Sequence, residues 1–205
     1  NTKAERFDFC FTGCTGLTAI PTGLFNNNLQ ANDFSGCFAE CTGLTAIPEG
    51  LFNNNTQAID FSSCFAGCTG LTAIPVGLFN NNTQAQYFHF CFNECTNLTS
   101  VPVGLFNKNT QAEWFKFCFC NCKKLLLIED IFPLPSVNPD FFVGRTMDFE
   151  KCFYNVGIQA ASPGAAPKLW NFTGGGPGTS WTVTNCFTNA NVTNYGDIPP
   201  NWKGL

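Results

Sequence analysis

The dipeptide Cys-Phe recurs at Cys10, Cys37, Cys64, Cys91 and Cys118, each 27 residues after the last, and returns at Cys152 and Cys186 after steps of 34. The unit reads CFxxCTxLTxxPxGLFNxNxQAxxFxx. A fixed period of this length marks a solenoid, because a unit so small buries its apolar face only against its neighbours. The chain enters the pattern midway: "NTKAERFDFC" aligns with "NTQAIDFSSC" of residues 55–64, matching Asn1 to Asn55, Ala4 to Ala58 and Phe7 to Phe61. Solenoids need capped ends, so further repeats or another domain are expected before Asn1.

Inside one unit two local periods alternate. Ala58, Phe61, Cys64, Phe65 and Cys68 recur every three or four residues, the spacing of a short helix or 3₁₀ turn, with Asn55 or Thr56 as its N-cap. Leu71-Thr72-Ala73-Ile74 then reads as a short strand stopped by Pro75, and Gly77 as a turn former. The expected fold is an α/β repeat solenoid with one short strand and one short helix or 3₁₀ turn in each 27-residue unit. After Ile128 the units loosen around "PLPSVNP", "SPGAAP" and the turn "GGGPG". Residues 1–128 are therefore read as regular repeats and 129–205 as two irregular ones forming a C-terminal cap.

The CFxxCTxLTxIP core resembles the bacterial leucine-rich repeats of BspA-like surface proteins, and the likeness covers residues 1–128. The "FNNNTQAxxFxxCF" half resembles repeats of bacterial surface lipoproteins, and similar repeats occur in phage and prophage tail proteins. The ending "NYGDIPPNWKGL" is similar to the close of gut-bacterial and prophage repeat proteins. The commonest BspA-like unit is shorter and carries a second apolar strand position before the proline. The resemblance implies a right-handed leucine-rich-repeat coil, an extracellular or cell-surface location and a role in recognition or adhesion. It also leaves open a virion-tail receptor binder or an accessory domain of a larger enzyme.

Five units carry Cys-x-x-x-Cys: Cys10/Cys14, Cys37/Cys41, Cys64/Cys68, Cys91/Cys95 and Cys118/Cys122. A structural zinc needs ligands converging on one point, whereas stacked repeats place equivalent residues in columns. Columns about 4.8 Å apart suit a packing ladder of buried thiols, although that spacing also admits disulfides between neighbours. The total of 13 leaves at least one cysteine unpaired within the chain. "CFCNCKK", with Cys118, Cys120 and Cys122, is the most metal-like stretch, and it lacks a fourth ligand.

Only 12% of residues are charged, about half the usual share. The surface is accordingly expected to be neutral, built from Asn, Thr, Gln, Ser and Gly. No lysine or arginine occurs between Phe7 and Phe106, so a basic footprint for nucleic acid is missing. No apolar run reaches the ~20 residues of a membrane span, so no membrane insertion is expected. Catalysis also lacks parts: His89 is the single histidine, in a column with Asp8, Ser35, Ser62 and Lys116 that reads as solvated. Glu129-Asp130 lies at the end of an apolar strand, where adjacent carboxylates point to opposite faces. "GGGPGTS" lacks the Gly-Lys-Ser/Thr of a phosphate loop. No enzyme, cofactor or metal is expected.

Binding is more promising. Variation gathers after the proline, at Thr22, Glu49, Val76 and Val103, and beside the helical turn, at Asp33, Asp60, Tyr87 and Trp114. Tyr87, Phe90, Trp114 and Phe117 fall in adjacent repeats and are expected to form one aromatic patch, suited to sugar faces or a protein interface. The leucine-rich-repeat resemblance adds the strand face, where Thr18, Thr45, Thr72 and Thr99 form a threonine row. The expected partner is a host or bacterial surface protein or glycan.

Overall fold

Single parallel bridges tie the chain into stacked coils: Arg6 to Asp33, Asp33 to Asp60, Asp60 to Tyr87, Tyr87 to Trp114, Trp114 to Asp148 and Asp148 to Thr182. The steps are 27 residues four times and then 34 twice, so the cysteine spacing is the coil length. This computed structural model describes residues 2–176, 178 and 180–205. Asn1, which began the alignment, and Pro177 and Thr179, within the "GGGPGTS" loop, lie outside the described residues.

Neither a helix nor an extended strand builds the regular coils, contrary to the α/β expectation. From Phe61 to Cys68 the backbone alternates two kinds of hydrogen bond. The N–H groups of Phe61, Ser63, Phe65 and Gly67 donate to the next coil, to the carbonyls of Tyr87, His89, Cys91 and Asn93 at 2.8–2.9 Å. Between them, Cys64, Ala66 and Cys68 donate three residues back, to Phe61, Ser63 and Phe65. Ser63 and Gly67 have φ of +56° and +69°, the left-handed third position of a type II turn. A helix fails because every second N–H leaves the local ladder. The four-residue recurrence of Phe61/Phe65 and Cys64/Cys68 is the length of these chained turns. Likewise the Leu71–Ile74 segment forms no extended strand: it makes one bridge, Ala73 to Ser100, and the Thr72 carbonyl accepts from the Thr99 N–H at 2.9 Å.

Phenylalanine fills the interior in columns. Phe7, Phe34, Phe61, Phe88, Phe115 and Phe149 stack at 5.4–5.7 Å between ring centres. Phe11, Phe38, Phe65, Phe92, Phe119, Phe153 and Phe187 stack at 5.1–5.7 Å. Phe25, Phe52, Phe79 and Phe106 form a third column at 6.0–6.2 Å, its rings turned edge-on into the first. Leu44, Leu71, Leu98 and Leu125 line the remaining interior with Ile47, Ile74 and Val101.

Two polar residue types belong to this core. Asn55, Asn82 and Asn109 are buried, and each side-chain amide donates to two carbonyls of the preceding coil. Asn55 therefore caps no helix; it joins coils. Cysteines fill two columns, and the thiols of Cys41, Cys68, Cys95 and Cys122 donate to Phe11, Phe38, Phe65 and Phe92 carbonyls at 3.1–3.2 Å. A thiol here is a small apolar group that also satisfies a buried carbonyl. All 13 cysteines are unpaired, and only Cys10 and Cys14, at the first coil, are exposed. Burial raises the thiol pKa, to about 12 at Cys68 and about 11 at Cys120. Native alkylation should therefore modify Cys10 and Cys14 and spare the other cysteines until the chain unfolds, as intact mass would register.

Among the described residues, helical turns occur only late in the chain: Glu129–Ile131, Leu169–Asn171 and Tyr195–Asp197 as 3₁₀ turns, and Pro200–Lys203 as α1. The Glu129-Asp130 pair thus begins a 3₁₀ turn rather than ending a strand. Trp202 of α1 is fully buried and packs against Phe149 and Phe187, each at 6.1 Å, covering the last coil. The 134–146 insertion is pinned by Arg145, whose guanidinium lies 4.9 Å from the rings of Phe141 and Phe142 and donates to the Ala112 carbonyl.

Candidate recognition surface

The predicted aromatic residues come together. Tyr87 and Trp114 stack with ring centres 6.3 Å apart and planes 29° from parallel. Phe90 and Phe117 stack closely, at 4.8 Å and 7°. His89 bridges the pairs, edge-on to Tyr87 at 6.2 Å and to Phe90 at 6.1 Å. The result is a continuous line of rings across two coils, with Trp114 43% exposed.

The backbone explains how these rings reach the surface. Phe90, Phe117 and Lys151 occupy one column in three successive coils, with φ of +57°, +56° and +50°. Earlier coils place Phe9, Gly36 and Ser63 there, Phe9 also at a positive φ of +52°. A left-handed conformation costs a bulky residue roughly 1–2 kcal/mol, so these side chains are not chosen for local stability. Phe90 and Phe117 each lose one face to the other, and the Lys116 and Lys151 ammoniums lie over the Phe117 ring. That corrects the picture of free faces for sugar stacking; Trp114 keeps the more open ring.

Two lysines frame the row. The Lys151 ammonium lies 5.2 Å from the centre of Phe117 and 5.9 Å from that of Tyr154. Lys116 sits 5.6 Å from the same Phe117 ring and pairs with Glu150 at 2.7 Å. Following the Phe117 column across the 34-residue step would have found Lys151 in the sequence.

His89 is half-buried and Ser62 is buried, so their column is less solvated than expected. The Ser62 hydroxyl donates to Asp60 and lies 3.1 Å from His89 Nδ1. A hydrolytic triad needs serine donating to histidine and histidine to the acid. Here serine lies between the other two, so no acid stands behind the imidazole to orient it. Burial lowers the His89 pKa, against the opposing pull of Asp60 and Asp148. Below pH ~6.5, the unfolded histidine's value, the unfolded state takes up more protons and stability should fall. His89→Gln should remove that part of the slope in urea titrations between pH 7 and 5.5.

Thr18, Thr45, Thr72 and Thr99 are exposed in a separate segment of each coil. Two hydroxyls are engaged, Thr45 to the Thr18 carbonyl at 3.4 Å and Thr99 to that of Thr72 at 3.0 Å. Val76 and Val103, after the prolines, are 78% and 68% exposed. The aromatic row and the threonine row are not brought together. Among the described residues no cluster of three His, Cys, Asp or Glu side chains suits a metal, and no helix is long and apolar enough to cross a membrane.

These features define a stacked-coil repeat protein with an aromatic stripe on one segment of its coils. No family profile and no curated protein matches the chain. Among solved structures it is similar to a leucine-rich repeat protein from Bacteroides ovatus ATCC 8483, at 16% identity and a TM-score of 0.33. That likeness covers 81% of this chain and 47% of the other, so the chain spans about half that protein's length. At such a score it carries no argument; the coil fold rests on its own hydrogen bonds and ring columns.

Proposed function

We propose that this protein is a non-catalytic recognition module that contacts a glycan or protein at a cell surface through the aromatic row. The observation that carries the reading is the Phe90, Phe117 and Lys151 column, where successive coils hold large side chains in left-handed positions. Strain of this kind is retained where the projected group serves a contact. The reversed Asp60–Ser62–His89 order supports a role without catalysis. Extracellular placement and adhesion follow from the motif resemblance to BspA-like surface proteins.

The test uses labelled protein on intact gut bacteria and on mammalian matrix or mucin. Trp114→Ala should lower staining at least about tenfold, as loss of an aromatic anchor does. Its thermal midpoint should stay close to that of the native chain, since Trp114 is outside the core. Unchanged staining would refute the row as the contact.

A further inference from the structure

Resting on that recognition reading, we propose that the row binds an acidic glycan, a sugar ring lying on Trp114 and a uronate carboxylate pairing with Lys151. Three observations converge on this ligand. First, three of the neighbouring acids are already engaged. Asp60 accepts from the Ser62 N–H and hydroxyl, Asp148 from the Glu150 N–H, and Glu150 pairs with Lys116. Lys151 enters no ion pair among the described residues and rests only against Phe117 and Tyr154. Its ammonium is a cation without a counter-charge in a chain of net charge −4.

Second, Phe90 and Phe117 each cover one face of the other, and the Lys116 and Lys151 ammoniums lie over the Phe117 ring, so cations flank the stack. An ammonium held there favours carboxylate oxygens. Third, the looser Tyr87–Trp114 pair leaves part of an indole face accessible, a seat for the apolar face of a sugar. A neutral glycan would leave Lys151 unused, and an acidic peptide would leave the indole face without a ring to hold.

The experiment measures binding of the full chain to polygalacturonate, with dextran as neutral glycan and poly-L-glutamate as acidic non-sugar, by affinity electrophoresis in graded salt. Polygalacturonate should retard the protein most strongly, and salt should weaken the effect. Lys151→Gln, which keeps the aliphatic stem, should weaken binding about tenfold and flatten the salt dependence. Lys151→Gly, which also suits the positive φ, should do the same with its fold intact. Equal retardation by dextran or by poly-L-glutamate, no retardation by any polymer, or full binding by both Lys151 variants would overturn the proposal. Surface staining that depends on Trp114 but persists in Lys151→Gln would overturn only the acidic-glycan assignment and leave the recognition reading standing.

Discussion

Phe79→Ala should lower unfolding stability by about 3–5 kcal/mol, the range for deleting a buried phenylalanine. Phe79 is fully buried at the centre of the third column. It stacks on Phe52 and Phe106 at 6.2 and 6.0 Å and meets Phe61 and Phe88 at 4.8 and 5.0 Å. It also touches Phe92 at 6.2 Å, so one ring serves three columns. Its removal opens a cavity walled by stiff rings that collapse poorly. In a stack where each coil contacts only its neighbours, the lesion should also uncouple the two halves. Urea unfolding followed by circular dichroism should show an early, broadened transition. A midpoint within the error of the native chain would refute this packing.

Asn82→Asp should be about as damaging, at roughly 3–5 kcal/mol near neutral pH. The Asn82 amide donates to the Phe52 and Asn55 carbonyls at 3.1 and 2.8 Å, while its own Oδ1 has no donor. Aspartate has the same shape, yet ionised it turns oxygen toward two buried carbonyls. It must hold a proton to fold, and then donates to only one of them. Its folded pKa is thereby raised above the unfolded value of about 3.9. Above that value the unfolded state releases a proton that the folded state keeps, so stability falls as pH rises. The deficit should shrink when urea titrations are repeated near pH 3.5. Asn82→Ala removes one donor from each carbonyl but leaves their bonds from the Asn55 and Ala58 N–H groups, so it should show a smaller loss with no such dependence on pH. Equal deficits for the aspartate variant at both pH values would refute the orientation of the amide.

Asn82 also marks a limit of reading residues from their type. Asparagine looked like surface composition and Asn55 like a helix cap, because in one unit an amide has only local carbonyls to serve. The buried acceptors belong to the coil before, so nothing inside a single 27-residue unit points to them. The expectation of a short helix or 3₁₀ turn over 58–68 met chained turns instead, for the same reason. A spacing of three or four residues is shared by helices and chained tight turns, and the neighbouring coil breaks the tie by taking every second N–H.

The candidate site was half legible. Tyr87, Trp114, Phe90 and Phe117 were found by aligning units, since equal offsets become equal positions on successive coils. Lys151 escaped because the step there is 34 rather than 27. That Phe90 and Phe117 would stack on each other was a matter of side-chain packing.

By itself, then, the amino-acid sequence determined the stack, its coil length and its phenylalanine columns, because like residues at a fixed interval bury one another only by lying in register. Tertiary structure alone decided the path of the backbone within each coil, the inward turn of the asparagines and the stacking within the aromatic row. Each of those depends on hydrogen-bond and packing partners about 27 residues away, beyond the reach of any local pattern.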